Sequence, residues 1–334
     1  MRDSKTVMLT GAGGAATGFL IERLKTHGFR VLAGDMDPRA VGLYLADKGF
    51  VIPAGKSPRF FESLARICAE ERVDAIVPLV DEELEAACGL EEQGVVVLLP
   101  RLSFVATCLD KYALMRQLAA ADIGVPATRL ASEGAQGMRF PLVVKPRTGR
   151  GSRGLALAES RAALERVLAE SAYSRDQLLI QEHVAEPEYT VSVVVWRDGR
   201  VQAVVPKEII CKRGITRLAV TRRNLLIEQA CHKIQTALRA DGPFNVQLRL
   251  DEVTKQPKIF EINPRFSTTV TLTLAAGIDE VGGLIIQALR GSEHHRFGHW
   301  QEGVVLLRRT LDQTISEEEF FRRSAAIVGA DELN

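Results

Sequence analysis

The 334-residue sequence has too few cysteines for a disulfide framework: its five are an odd set, scattered at Cys68, Cys88, Cys108, Cys211 and Cys231. None sits in a CxxC pair, so the spacing also argues against a zinc knuckle and leaves reduced thiols as the reading. An excess of either charge is missing too, since 43 basic and 42 acidic residues leave a net charge of +1. Such a balance supplies no general attraction to nucleic acid or to an anionic membrane, and any basic cluster must act locally. No apolar run approaches the length of a membrane span, and VMLTGAGG, near the start, is too brief for the apolar region of a signal peptide. A cytoplasmic protein with neither a nucleic-acid nor a membrane partner is the expectation. Internal repeats and low-complexity segments are lacking as well.

What the sequence does have is apolar material for several cores, 46% of residues against 25% charged, and a length that favours two or three packed domains. Through the first hundred residues, short β-rich runs alternate with helical patterns: TVMLT, an amphipathic stretch from Thr17 to Thr26, RVLAGD, a helix near Arg59 to Glu71, DAIVPL, a short helix and VVVLLP. This alternation predicts a parallel, doubly wound, Rossmann-like sheet with right-handed crossovers. A helix over Asp110 to Asp122, with Asp110 as N-cap and Gly124 as stop, marks a change of pattern. FPLVVKPR, GLALAES, a helix from Arg161 to Glu170 and LLIQEHV then predict a small α/β lid. From Tyr189, the strand TVSVVVW, an Asp198-Gly199 turn and the strand RVQAVVP lead into a basic segment, CKRGITRLAVTRR. A helix from Asn224 to Arg239 and the hairpin FNVQLRLDEVTKQPKIFEIN follow, predicting an α+β domain. A strand in GVVLLRRT and an acidic-basic helix from near Ser316 complete the chain. The fold class is therefore α/β and α+β, with divisions drawn at 1–105, 106–187 and 188–334.

Several stretches could carry chemistry. GAGGAATG, Gly11 to Gly18, opens a helix behind the first strand, and Asp35 ends the second strand at the distance a dinucleotide fingerprint requires. Glycines at a tight strand-to-helix turn serve backbone geometry equally well, so the two readings stand level. VVKPRTGRGSRG carries Lys145 at the end of an apolar strand, ahead of Gly149, Gly151 and Gly154 and among Arg147, Arg150 and Arg153. An unpaired ammonium in a core is expensive, so Lys145 predicts an anionic partner, and glycines let backbone N–H groups approach phosphate oxygens. No Gly-Lys-Ser/Thr closes the loop, so it is not a Walker A loop. Glu182 and Glu188 flank a strand edge, where exposed acids ordinarily solubilise. Gln247 lies mid-strand in NVQLRL, and strand periodicity in KIFEINPRF puts Glu261, Asn263 and Arg265 on one face. A buried Glu261–Arg265 ion pair is one account of that face. The favoured one is a metal site, because oxygen donors from adjacent hairpin strands suit Mg²⁺ arriving with substrate phosphates.

Taken in order, Lys111 in LDKYALM, Lys145 in VVKPRTGRGSRG, QEHV, EYTVSVVV, NVQLRL and FEINPRFS resemble the ATP-grasp superfamily. The likeness is greatest to the synthetase halves of carbamoyl phosphate synthetase and to stand-alone carboxylate-amine ligases built like them. It implies a Rossmann-like pre-ATP-grasp domain followed by a two-lobed ATP-grasp domain. Lys111 and Lys145, with Gly149 and Gly151 of the lid loop, would contact ATP phosphates; backbone groups of Glu182 and Val184 would hold adenine, and Glu188 the ribose hydroxyls. Metal ligation would fall to Gln247, Glu261 and Asn263, with Glu261 bridging two Mg²⁺ ions for which Mn²⁺ can substitute. Arg265, with Lys145, would stabilise the transferring phosphoryl group.

The implied reaction phosphorylates a small carboxylate to an acyl phosphate, which an amine then attacks, with ADP and phosphate released. Lys207, Lys212, Arg213 and Arg217 either meet an anionic substrate or form a solvated basic loop. Gly13 and Gly14 would border the acceptor pocket, which lowers the dinucleotide reading of that turn. Three departures are expected: Gln247 is neutral where many relatives carry a carboxylate, although the carbamoyl phosphate synthetase branch shares that amide; a single synthetase unit is read, with no glutaminase or second ATP site; and Arg150 and Arg153 make the lid more basic than a glycine-only loop. Small-molecule carboxylate and amine partners and a homodimer are expected. A nucleotide-binding sensor of the same fold and an NAD(P)-dependent oxidoreductase are the alternatives.

Overall fold

A computed structural model describes residues 4–327 apart from 152, 186, 252, 311, 313 and 326. The chain divides into two compact units, Met1–Leu102 with Arg265–Asn334, and Ser103–Pro264. Residues 265–334 thus fall with the N-terminal unit, whereas the sequence reading groups 188–334 as one lobe.

In the first unit, β1 (Thr6–Thr10), α1 (Thr17–Thr26), β2 (Arg30–Asp35), α2 (Val41–Leu45), β3 (Lys48–Val51), α3 (Phe60–Glu70), β4 (Ala75–Val77), α4 (Leu84–Cys88) and β5 (Val96–Val97) follow one another. The strands form a sheet of order β3-β2-β1-β4-β5, all parallel, as the alternating pattern predicts. β1 is buried along its whole length, which is why TVMLT reads as a near-continuous apolar run. The sequence reading omits α2 and β3, both short and neither strongly periodic.

The second unit opens with α5 (Leu102–Leu109) and α6 (Lys111–Ala120). Its lid sheet, order β6-β9-β7-β8, is built from β6 (Thr128–Leu130), β7 (Leu142–Pro146), β8 (Ala156–Ala158) and β9 (Leu178–Glu182). α7 (Arg161–Glu170) packs Leu164 and Leu168 against Leu142, Val144 and Ile180 of that sheet. The larger lobe contains β10 (Glu188–Val195), β11 (Val201–Arg213), β12 (Ile215–Thr221), α8 (Leu225–Leu238), β13 (Phe244–Leu250) and β14 (Pro257–Asn263). Its strands run antiparallel in the order β14-β13-β10-β11-β12. Tyr189, Val191, Val193, Val246, Leu248 and Ile262 on one face form the core with Leu114, Leu118, Ile227 and Ile234 of α6 and α8.

The basic segment differs from its expected loop form. β11 runs on through Lys212 and Arg213, turns at Gly214 (φ 69°) and returns as β12, giving one long hairpin. Its alternating Ile209, Cys211, Leu218 and Val220 supply the strand pattern that the basic residues obscure. The remainder of the first unit adds α9 (Val270–Ala275), α10 (Glu280–Arg290), β15 (Val305–Leu307) and α11 (Glu317–Ala325). Asp279 caps α10 at Gly282 N–H and receives Arg23 and His27 of the α1 segment, each at 2.8 Å, which ties this return segment to the Rossmann-like sheet.

Phe244 is 2% exposed and meets Phe104 with ring centroids 5.3 Å apart. Phe244→Ala should lower the stability of the second unit by about 3–5 kcal/mol. Urea unfolding followed by Trp196 in a Trp300→Phe background, where Trp196 is the single reporter, checks this; an unchanged midpoint would remove Phe244 from the core.

Candidate active site

The site grows from β7. Its sequence LVVKP alternates toward a buried sheet, so Lys145 leaves the strand 7% exposed. Its ammonium donates to the Phe260 carbonyl oxygen at 3.2 Å and lies 5.6 Å from the Phe260 ring centroid. Burial, opposed by the Glu261 carboxylate and reinforced by repulsion from Lys111, pulls the Lys145 pKa down from 10.5 to about 8. Lys111 is the first residue of α6, 8% exposed, and donates from Nζ to the Gly149 carbonyl oxygen at 2.5 Å. The lid loop takes left-handed backbone at Gly149 (φ 112°) and Gly151 (φ 67°), and a Cβ there would meet nothing within 4 Å. Conformation therefore requires these glycines, and the loop's backbone faces open space.

Glu182 ends β9 and spends its side chain on Ala127 N–H at 3.0 Å. The Val184 carbonyl accepts from Arg249 at 2.7 Å. Glu188, expected to be exposed, is 8% exposed, because β10 is buried on both faces. Burial opposes its ionisation, yet Lys212 at 2.9 Å and Arg249 at 3.0 Å hold its carboxyl below the usual range.

On β13 and β14, Gln247 lies directly opposite Glu261 and Asn245 opposite Asn263. Opposed residues of an antiparallel pair share a face, so Gln247, Glu261 and Asn263 present their oxygens together. None of the three side chains has a hydrogen-bond or salt-bridge partner among the described residues, although Asn263 is buried. One carboxylate and two amides make an all-oxygen, singly charged donor set that fits a hard divalent cation sharing its shell with phosphate oxygens. Among the described residues, no group of three or more His, Cys, Asp or Glu side chains could hold a metal ion, a chemistry this set does not require.

Within the second unit, one pocket of about 560 Å³ gathers most of these groups. Lys111, Lys145, Gly149 and Gly151 line one part, and Glu182, Val184 and Glu188 another. Gln247 and Glu261 complete the polar wall, while Val143, Leu157 and Ile209 supply apolar surface. Lys212 lines the pocket too, held by Glu188. Arg213 and Arg217 are exposed on the hairpin, and Lys207 is fully buried with Nζ 2.7 Å from Ser192 Oγ.

Arg265 departs from the strand pattern. β14 ends at Asn263, Pro264 brings no N–H to extend the ladder, and Arg265 belongs to the first unit, where Nε lies 2.5 Å from the buried Asp81. The Glu261–Arg265 ion pair is thus replaced by an Arg265–Asp81 pair. In the same unit, Gly13 N–H donates to Asp35 at 2.8 Å, and Gly14 N–H to the Gly11 carbonyl at 2.9 Å. The sequence reading missed Asp81, Arg249 and the Asp110–Arg147 pair. Their signals were charged residues on strand or helix ends, which look like ordinary solvated positions.

In the second unit a lid and a larger antiparallel lobe enclose a lysine-lined pocket, and the chain is similar over much of its length to ATP-grasp proteins. Residues 174–310 match the family described as ATP-grasp in the biosynthetic pathway with Ter operon, and residues 7–97 the PylC-like N-terminal domain. The chain is 28% identical over 285 residues to the N-terminal section of the carbamoyl phosphate synthase large chain of Methanopyrus kandleri, covering 76% of this chain and 49% of that protein. It is 28% identical over 194 residues to the formate-dependent phosphoribosylglycinamide formyltransferase of Ignicoccus hospitalis, covering 54% of this chain and 46% of that one. The chain therefore spans about half the length of these curated relatives. The biotin carboxylase domain of Hydrogenobacter thermophilus 2-oxoglutarate carboxylase, solved with MgADP, ADP and bicarbonate, shares the fold. Its TM-score is 0.69 at 20% identity, over 88% of this chain and 72% of that one. No helix among the described residues is long and apolar enough to cross a membrane.

Because the folded Lys145 pKa lies near 8 and the unfolded one near 10.5, the folded state carries a charge penalty that is complete below pH 8 and fades as pH rises to 10.5. Lys145→Met should accordingly stabilise the ligand-free protein by about 1–3 kcal/mol at pH 7, with the gap closing by pH 10. Urea titrations at the two pH values test the sign. A gap of constant size would mean that Lys145 is not charged and buried in this way.

Proposed function

We propose that the chain is an ATP- and Mg-dependent ligase that activates a small carboxylate as an acyl phosphate and joins it to an amine. The observation that carries this reading is the unpartnered oxygen set of Gln247, Glu261 and Asn263 beside a buried ammonium. Nucleotide binding alone would not need such a face. The apolar surface of Val143, Leu157 and Ile209 suits adenine, with backbone groups of Glu182 and Val184 at its edge and Glu188 at the ribose. Lys111, Lys145 and the Gly149–Gly151 backbone take the phosphates. Gln247, Glu261 and Asn263 would hold magnesium, in our reading two ions bridged by Glu261 and replaceable by manganese. Bound there, the metal supplies neutralisation of phosphate charge during transfer.

In the first step a carboxylate oxygen attacks the γ-phosphorus and the bond to the ADP oxygen breaks. Lys145 holds its proton beside the phosphate oxygens, since an anion at that place restores the charged state that burial disfavours. In the second step the amine lone pair attacks the acyl carbon, phosphate leaves with the C–O electrons, and the amine loses a proton. Arg265 is assigned to the phosphoryl and acyl-phosphate charge, with Asp81 fixing its guanidinium. Lys207, Lys212 and Arg213, with Gly13 and Gly14, remain assigned to the anionic substrate and acceptor. The basic β11–β12 hairpin and the glycine-rich lid loop serve to exclude water, which would hydrolyse the intermediate. A homodimer in a cytosolic setting is the accompanying assignment, in keeping with five free thiols.

Mg-ATP offered with a panel of carboxylates, with and without amines, should release ADP, and hydroxylamine should trap an acyl hydroxamate. Glu261→Gln should lower kcat by roughly 10²-fold or more while the protein stays folded. Tight ATP binding without turnover across a broad panel would replace the ligase with the nucleotide sensor.

A further inference from the structure

Resting on the phosphate assignment of Lys111, we infer that the Asp110–Arg147 ion pair is a positioning device: it fastens the lid loop to the larger lobe and sets Lys111 against Lys145. Arg147 follows β7 by one residue and stands two before Gly149, so it sits where the lid strand becomes the phosphate loop. Asp110 is the N-cap of α6, a helix whose Leu114, Met115 and Leu118 are embedded in the core of the larger lobe. The pair therefore joins the two lobes of one compact unit.

The contact is bidentate. Arg147 Nε donates to Asp110 Oδ1 at 2.8 Å and Nη2 to Oδ2 at 2.5 Å, the fork geometry that fixes orientation as well as distance. Asp110 Oδ1 also accepts Tyr112 and Ala113 N–H at 3.1 Å each, so the carboxylate is pinned at the helix end before Arg147 reaches it. The Arg147 guanidinium lies 5.7 Å from the Tyr112 ring centroid. Two further bonds run from the adjacent residue, Lys111 N–H to the Arg147 carbonyl at 3.0 Å and Lys111 Nζ to the Gly149 carbonyl at 2.5 Å. On its other side the Arg147 N–H donates to the Gln177 carbonyl at 2.8 Å, locking the junction to the lid.

The arrangement opposes a repulsion. Lys111 and Lys145 are both buried, and the Lys111 charge disfavours the charge on Lys145. Arg147 Nε and Nη2 are both engaged by the Asp110 carboxylate, which offsets the guanidinium charge. Arg147 acts through Lys111, holding that ammonium in the pocket that Lys145 also lines. This differs from a fold-stabilising ion pair, because 37% of the Arg147 side chain remains exposed and such pairs contribute little to stability.

MgADP and adenosine binding, measured by calorimetry on the full chain, separate these roles. Arg147→Gln should weaken MgADP about tenfold and leave adenosine unchanged, Lys111→Met should weaken MgADP by at least as much, and the double variant should be no weaker than Lys111→Met alone. Asp110→Asn keeps a competent N-cap while dissolving the charged fork, and should reproduce Arg147→Gln even if that variant folds poorly. Additive losses in the double variant, or equal losses of adenosine and MgADP, would overturn the positioning role. If Lys111→Met leaves MgADP affinity intact, the phosphate assignment itself fails, and the inference goes with it.

Discussion

Lys145 is the constraint on which the second unit is organised. A lysine 7% exposed on an interior strand, with a pKa near 8, represents roughly 3 kcal/mol of unfavourable charge burial below that pH. A carbonyl from Phe260 and the nearby Glu261 carboxylate offset part of it, and Lys111 adds to it. Substituting an apolar residue would relieve the cost at once, so the position makes physical sense as half of an interaction whose other half is an anion. The lid loop beside it carries left-handed glycines at Gly149 and Gly151, where a Cβ would meet only open space.

The sheet of the larger lobe meets this constraint by keeping its two faces chemically separate. β10 is buried over all eight residues, yet Tyr189, Val191 and Val193 enter the apolar core while Glu188, Thr190 and Ser192 line up on the other side. Register carries the polar stripe onward, Glu188 opposite Arg249, Thr190 opposite Gln247 and also Lys207, and Gln247 opposite Glu261. A one-residue slip would move the stripe into the core, so the apolar face fixes the positions of the charged groups. Within the stripe, Glu188 is paired with Lys212 and Arg249, and Lys207 donates to Ser192. Gln247, Glu261 and Asn263 are the oxygens left over.

Much of this was legible in the sequence because it rests on local periodicity. The parallel sheet, α6 with its Asp110 cap, α7 and the two hairpins announce themselves through alternation, one N-cap residue and the Asp198-Gly199 turn, and Lys145 stood out because its neighbours are apolar. The rest depends on partners far apart in the chain. Glu188 resembles a solvated acid until β11 and β13 bring Lys212 and Arg249 to it, and Arg265 counts as the next residue on a strand face until Asp81, 184 positions away, claims it. The β11–β12 hairpin escaped because five basic residues between Lys212 and Arg223 mask an apolar alternation that only pairing reveals.

The two glycine-rich turns of the chain show why sequence alone could not choose between them. Both follow an apolar strand, and both look able to cradle phosphate. In the first, Gly13 N–H is spent on Asp35 and Gly14 N–H on Gly11, while the second Asp35 oxygen accepts Asp37 N–H at 3.0 Å. The acid that a dinucleotide fingerprint would reserve for a ribose hydroxyl is turned inward, where its charge would repel a phosphate approaching the turn. In the second, the turn is flanked by Lys111 and Lys145, and the Asp110 carboxylate beside Lys111 is paired with Arg147. An anion is drawn to cations that form no salt bridge, so the electrostatics of the two turns, rather than their glycines, favour an anion at the lid turn.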